Sequence, residues 1–502
     1  MPTISQGKNA APHVAVIGAG VGGLSAAALL AHAGLRVTVF EKNARVGGKL
    51  NWLELDGYTF DTGPSLLTMP YVFERLWTRL GRRLADDLTL VPLPVTCRYR
   101  WTDGTQIDED AAFWQRAEVA RFLRYAQGLY EISADAFLHH SLADWWRQLT
   151  LANLPKMRHL PKIASFRTMH AVVRKFFGHD PHLVQLFDRF ATYNGSSPYR
   201  TPAAFNIIPF VEAKFGGWYV QGGLYEIARA LERICRGLGV EFRLGEEIKM
   251  LSWDWLGEWQ DEYYIGDNYE GERFDFAVCN QDVLSAYPRF LPRDAVEFQR
   301  THIEHLDLSI SAFLLYLGVA RKYPQLEHHN IFFSDDYPRE FRQLFDERQP
   351  LDEPTIYVAV HSKHDPHRAP AGCDGWFVLV NAPALAPDSR LAWSADNAEK
   401  YGDRILERLE TRFGFDGLRA AIRVRRHFTP ADFETRYLAH AGSLYGFASH
   451  GVRAAFQRPA MQPRGMNNFY FVGGSTHPGG GLPLVCLGAQ MVADKILRQL
   501  RR

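Results

Sequence analysis

The chain has 502 residues, 46% hydrophobic and 23% charged, enough apolar material for a sizeable core and, at roughly 150 residues per domain, for about three domains or two large ones. Lys plus Arg number 57 against 56 Asp plus Glu, a net charge of +1 that excludes nucleic-acid binding driven by bulk charge. Cys97, Cys235, Cys279, Cys373 and Cys486 are widely spaced without a CxxC pair, which argues against a disulfide scaffold or structural zinc and for a reducing cytoplasm. Residues 1–13 are polar with no secretory pattern, and no run reaches the ~18 apolar residues of a membrane span.

Residues 14–17 (VAVI) are a short β-branched run, GAGVGG follows at 18–23, and LSAAALLAHAG then reads as a helix. After Gly34 the segment RVTVF alternates as a second strand and ends at Glu41. This is a βαβ unit with its glycines between strand and helix. Gly18 permits the tight turn, Gly20 removes a side chain that would block a pyrophosphate, and Gly23 lets the helix pack closely on the sheet. The helix N-terminus offers unpaired N–H groups and partial positive charge to phosphates. Glu41, 18 residues after Gly23, can accept hydrogen bonds from ribose hydroxyls and repels a 2′-phosphate, which argues against NADP. NAD and FAD both fit to this point.

RVGGK at 45–49 adds a second glycine loop, Gly47 and Gly48, with Lys49 and Arg45 as cations for the pyrophosphate, and FDTGPS at 60–65 brings Gly63 and Ser65. GxGxxG, Glu, a GG(R/K) loop and a DxG stretch, in that order, resemble the glutathione-reductase-like flavoproteins in their amine oxidase and carotenoid desaturase branch. NAD-only dehydrogenases do not usually show the second loop. The resemblance implies FAD and an α/β fold: a Rossmann-type FAD-binding domain, a discontinuous substrate domain with a mixed sheet, and a helical membrane-facing lid.

Residues 93–109 read as a hairpin turning at Asp103-Gly104, a type I′ signal. Residues 113–185 are helical in pattern, and 145–179 within them contain no Asp or Glu. That stretch carries seven Lys or Arg, while Leu160, Ile163, Phe166, Met169, Val173 and Phe177 fall close to one helical face. Two readings are open, a solvated basic face on a lid and an amphipathic helix lying in anionic headgroups. Strand-like residues around Val240 and FAVCNQD at 276–282 return to the dinucleotide domain. Apolar runs at 309–319, 355–360 and 376–382 belong to a second sheet. The tract HSKHDPH at 361–367 matches no usual zinc spacing, Ser475 and His477 lie in no nucleophile elbow, and Cys486 reads as packing.

Near the end, NFYFV at 468–472 is a strand, VGGSTHPGGGLP a glycine-rich loop and VCLGAQMVADKIL a helix. Backbone N–H groups at that helix start can face the flavin's pyrimidine edge. This loop, DTGPSLLTMP, residues 189–212, WYVQGGLYEIARAL, TPADFETRY and GSLYGF are together similar to bacterial carotenoid desaturases of the phytoene desaturase type, over nearly the whole chain. The resemblance implies further cofactor contacts at Ser65 and Leu66, at Ile248 on a strand near the adenine, at Asn280, and at Leu444 by the flavin, with Gly474, Gly481 and Leu482 in the last loop. It divides the chain into an FAD domain (1–80, 219–282, 440–502), a substrate domain (81–112, 283–439) and a helical lid (113–218). The implied reaction is desaturation of phytoene, diapophytoene or a 1-hydroxycarotenoid, with cis–trans isomerisation, terminal oxygenation and amine oxidation as alternatives. The implied partners are a long apolar polyene, a membrane surface on the cytoplasmic face, and oxygen or a quinone as electron acceptor. A polyene insoluble in water favours the membrane reading of the basic segment.

Overall fold

The computed structural model describes residues 11–138, 167–255, 261–265, 271–291, 306–386, 393–451 and 458–501. A five-stranded sheet runs in the order Phe469–Phe471, Phe276–Cys279, His13–Ile17, Arg36–Glu41, Glu241–Leu244, and every neighbouring pair is parallel. All five residues of His13–Ile17 are buried, as a strand covered on both faces requires. The Ala-rich helix Val21–His32 is buried along most of its length. Its small side chains let it lie among the sheet and the helices Glu226–Gly237 and Leu482–Leu500. It ends at Gly34, whose φ of +93° turns the chain back so that the Leu35 N–H donates to the Leu30 carbonyl at 3.1 Å. Because the strands are parallel, their carboxyl ends share one edge, which collects the loops after Ile17, Glu41, Leu244, Cys279 and Phe471.

The second sheet has seven strands in the order Ile422–Phe428, Ser311–Val319, Asp374–Ala382, Ile356–Val360, His329–Phe332, Arg98–Arg100, Gln106–Asp108. Side chains alternate across it. Phe313, Leu315 and Leu317 join Tyr401, Ile405 and Leu409 of the helix Ala395–Phe413 in one core, while Leu314 and Tyr316 face the other way, towards Tyr58 and Phe60. That second face becomes a cavity wall.

Three local expectations are corrected. The hairpin at 98–108 does not turn through a type I′ pair. Gly104 has φ +88° and Asp103 is not in the left-handed region. The Gly104 N–H donates to the Trp101 carbonyl and the Trp101 N–H to the Thr105 carbonyl, a type I turn followed by a left-handed glycine, which Asp-Gly serves equally well. Ile248 lies in irregular chain after Glu241–Leu244, not on a strand, and a separate antiparallel sheet of Ser252–Trp255, Asp261–Ile265 and Glu272–Phe274 follows it. In the basic segment, Leu160, Ile163 and Phe166 lie outside the described residues. Met169, Val173 and Phe177, on the helix Met169–Phe177, are fully buried and pack with Phe122 and Phe187. That half of the apolar stripe is core.

Candidate functional site

A cavity of about 680 Å³ joins the carboxyl edge of the parallel sheet to the inner face of the seven-stranded sheet. Gly18, Gly20, Glu41, Gly48, Lys49, Gly63, Ser65 and Leu66 line it, and so do Ile248, Asn280, Leu444, Gly474, Gly481 and Leu482. Gly23 does not reach it. A β-carbon there would overlap the Gly18 carbonyl oxygen, so Gly23 serves helix packing and not the cavity wall.

The edge is held together by Asn280. Its Oδ1 accepts the Gly23 N–H at 3.1 Å, and its Nδ2 donates to the Val472 carbonyl at 2.9 Å. Gly20 is the N-cap of Val21–His32 and has no side chain to cap with, so Asn280 caps that helix from a different strand. Added β-carbons at Gly20, Gly22 and Gly473 would each come within 2.6–2.9 Å of this amide. The glycines therefore make room for Asn280 as well as for a ligand. The Ser475 hydroxyl accepts the Val283 N–H at 3.0 Å, a second tie between the same loops and a structural use for that serine.

Glu41 is buried. Its Oε2 accepts the Ala19 N–H at 2.9 Å, and its Oε1 accepts from the Asn43 backbone at 2.9 Å and side chain at 2.8 Å. The carboxylate thus fixes the first glycine loop and keeps lone pairs for hydroxyl groups. Gly47 bridges to Gly20 as an isolated β-pair, bringing the two glycine loops into contact. Lys49 lines the cavity with one of its three donors already engaged. Its Nζ donates to the Leu444 carbonyl at 2.6 Å, and burial, opposed by Asp282, holds its pKa below the usual lysine value. Arg45 stacks over Trp52, its Cζ 5.3 Å from the ring centre. Arg458, missed in the sequence, lines the cavity beside the last glycine loop.

Beyond the dinucleotide loops the wall is built by the second sheet. Ser65 Oγ and the Tyr357 hydroxyl are hydrogen-bonded, and Tyr357 meets His329 Nδ1 at 2.6 Å. Burial pushes the His329 pKa down to about 3, so its imidazole is neutral. Nearby, Arg189 lies 3.7 Å from both Glu109 and Glu212. Its Nη1 donates to Tyr193 at 3.1 Å, which donates to Glu212 at 2.7 Å. Burial, with Glu212 adding to it, holds the Glu109 carboxyl well above its ordinary range. Arg189 thus stands against two carboxyl groups, in one of which burial disfavours the charged form. Among the described residues no group of three or more His, Cys, Asp or Glu is placed to hold a metal.

These features fit a dinucleotide. The helices Val21–His32 and Leu482–Leu500 both start at a capless glycine, with no acid in the first turn, where the chain meets the cavity. Glu41 places a carboxylate at the same edge. Joined to a separate substrate wall, such a cradle defines an oxidoreductase of the flavoprotein type.

The chain belongs to the flavin-containing amine oxidoreductase family, whose model matches residues 21–497, and its cofactor is FAD. It is 38% identical over 501 residues to a 4,4′-diapolycopene oxygenase of Methylomonas sp, covering 97% of this chain and 98% of the relative. It is 34% identical over 495 residues to a 1-hydroxycarotenoid 3,4-desaturase of Flavobacterium sp. (strain P99-3), covering 96% and 98%. A zeta-carotene-forming phytoene desaturase of Myxococcus xanthus is 35% identical over 503 residues, covering 96% and 93%. Among solved structures, putrescine oxidase bound to putrescine shares the fold at a TM-score of 0.66 and 14% identity, over 97% of this chain and 99% of that one.

Proposed function

We propose that the protein inserts conjugated double bonds into a long acyclic carotenoid: phytoene, diapophytoene or a 1-hydroxycarotenoid. The observation that carries this reading is the wall from the second sheet. Ala312, Leu314, Tyr357, Phe377 and Leu379 face the cavity there, whereas its acidic residues among those described, Glu41, Glu246, Glu247 and Asp282, all stand at the edge of the parallel sheet. An alkylammonium substrate would meet no carboxylate on that wall, and a polyene would lie along its apolar side chains, between which His329, Thr355, Tyr357 and Asn381 are uncharged. The names of the relatives point the same way.

An allylic C–H has no acidic proton, and FAD, when bound, supplies the hydride acceptor that side chains cannot. The chain's own residues orient the polyene along the wall and exclude water. The hydrogen-bonded row of Ser65, Tyr357 and His329 gives the second hydrogen a route out as a proton. A cation spread over a polyene is acidic enough for a weak acceptor. Electrons leave to oxygen or a quinone. Residues 1–80, 219–282 and 440–502 serve the cofactor, 81–112 and 283–439 the substrate, and 113–218 the lid. Among the described residues no helix is long and apolar enough to cross a membrane. A water-insoluble substrate calls for peripheral attachment at the inner membrane face, with residues 145–166 as the candidate segment, and flotation with anionic liposomes tests it.

A second reading is favoured by the name of the relative at 38% identity, an oxygenase. Pigment analysis in cells accumulating phytoene, diapophytoene or 1-hydroxycarotenoids separates the reactions. Desaturation removes hydrogen in pairs and shifts absorption to the red, oxygenation adds oxygen, and isomerisation leaves the mass unchanged. Flavin-loaded protein that removes no hydrogen from any of these substrates overturns the proposal.

A further inference from the structure

Among the described residues Arg458 is an arginine with no carboxylate partner. Among the described residues its hydrogen bond is a single one, from Nη1 to the Gly474 carbonyl at 3.0 Å. The side chain is half-buried, and its desolvation, with no opposing charge among the described residues, lowers its pKa to about 10. The guanidinium borders the cavity and faces Gly479, where an added β-carbon would lie 3.3 Å from its Cζ. The next residue fixes its position. The Pro459 carbonyl accepts the Thr476 hydroxyl at 2.8 Å and the His477 N–H at 3.2 Å, so the arginine is anchored to the last glycine loop.

Among the described residues the two buried arginines are paired. Arg368 sits 3.2 Å from Asp61, and Arg189 lies between Glu109 and Glu212. A guanidinium offers five donors, and desolvating it without an anion is costly. Its positive field is not relieved by its neighbours either. The helix Leu482–Leu500 begins just beyond the same loop with no acidic residue in its first turn, which adds partial positive charge. Asp282 acts electrostatically on Lys49 and does not figure among the charges acting on Arg458.

We propose that Arg458 is the counter-cation of the bound cofactor, left unpaired by the protein so that it can meet an anionic group of FAD. Two groups have that chemistry, the pyrophosphate and the isoalloxazine ring once it carries the extra electron pair. The inference rests on the flavin and not on the polyene, so it stands or falls independently of the reaction proposed above.

The test uses purified full-length protein with Arg458→Met, Arg458→Gln and Arg458→Lys, checked for folding by circular dichroism. Two quantities are measured without substrate: the dissociation constant of oxidised FAD and the midpoint potential of the bound flavin against reference dyes. If the partner is the pyrophosphate, Met and Gln weaken oxidised FAD at least tenfold and leave the potential nearly unchanged. If it is the reduced ring, oxidised FAD binds as before and the potential falls. Lys restores part of either effect, because it keeps the charge and loses the fork. If the Met variant does not fold, the Gln and Lys variants are compared in the same way. Wild-type affinity and wild-type potential in a folded neutral variant would overturn the proposal.

Discussion

Asn280→Ala should do more damage than its place between two loops suggests. The substitution removes an acceptor from the Gly23 N–H, in the first turn of Val21–His32, and a donor to the Val472 carbonyl. Each part-buried group left unmatched costs about 1–2 kcal/mol, and a lost helix cap alone is worth about 1 kcal/mol. The sum is a loss of about 2–4 kcal/mol, concentrated at the sheet edge. The missing amide also leaves a gap among Gly20, Gly22 and Gly473, which lie against it, so the two glycine loops lose their spacing. Urea unfolding followed by tryptophan fluorescence measures the first effect, and flavin retained through gel filtration measures the second. Asn280→Asp separates the parts, since it keeps the acceptor for Gly23, loses the donor to Val472 and brings a negative charge towards the phosphate site. It should fold better than the alanine variant yet hold FAD no better. An alanine variant within 0.5 kcal/mol of wild type in stability, as estimated from the measured transitions, with full flavin occupancy would refute the clasp.

Gly20→Val should lower flavin occupancy, because its first side-chain carbon already meets Asn280 Oδ1 at 2.6 Å; absorbance at the flavin band relative to protein is the readout. Glu41→Ala frees the Ala19 and Asn43 N–H groups and should also weaken retention, with undiminished occupancy counting against the ribose assignment. Arg368→Met strips the buried Asp61 of its ion pair and should cost about 3–5 kcal/mol in unfolding experiments. Tyr357→Phe breaks the link between Ser65 and His329 and should slow turnover while leaving FAD affinity unchanged; unaltered turnover would remove the row from the proton's route. Acid should destabilise the fold through His329. Its folded pKa of about 3 lies below the 6.5 of a free histidine, so the unfolded chain binds the proton first. That contribution is complete above pH 6.5 and is lost towards pH 3, at up to about 1.4 kcal/mol per pH unit. Denaturation midpoints at several pH values, compared with those of His329→Gln, measure it, and parallel curves for the two proteins would sink the assignment.

What could be read from the residues and what could not divides along a physical line. GAGVGG and Glu41 announce themselves because their chemistry is local. A glycine is required wherever the backbone must turn or another backbone must approach, and the charge at a strand end is visible in a single segment. The apolar runs at 309–319 and 376–382 likewise mark strands of a sheet with two covered faces. Apolar spacing cannot say what covers a face. Met169, Val173 and Phe177 have the spacing of a lipid-facing stripe and meet Phe122 and Phe187 instead. Nor does residue type say where a long side chain ends. Lys49 stands in the second glycine loop, where a cation for phosphate is expected, but its ammonium reaches the Leu444 carbonyl.

A half-buried cation with no carboxylate partner among the described residues comes from the other end of the chain. Arg458 is unexceptional as a letter, because being half-buried without a carboxylate partner is a property of the folded neighbourhood. The resemblance marks Asn280 as a cofactor contact, but its clasp is silent in the sequence, its two partners lying 257 and 192 residues away. The two devices answer the same physical problem. A cofactor carrying negative charge has to be met by donors that do not collapse onto the protein's own acceptors beforehand. One side chain holds the helix start open, and another keeps a guanidinium clear of carboxylates. Both therefore predict a site preorganised before the flavin arrives, in which removing either residue changes cofactor affinity or potential more than it changes the fold of the substrate wall.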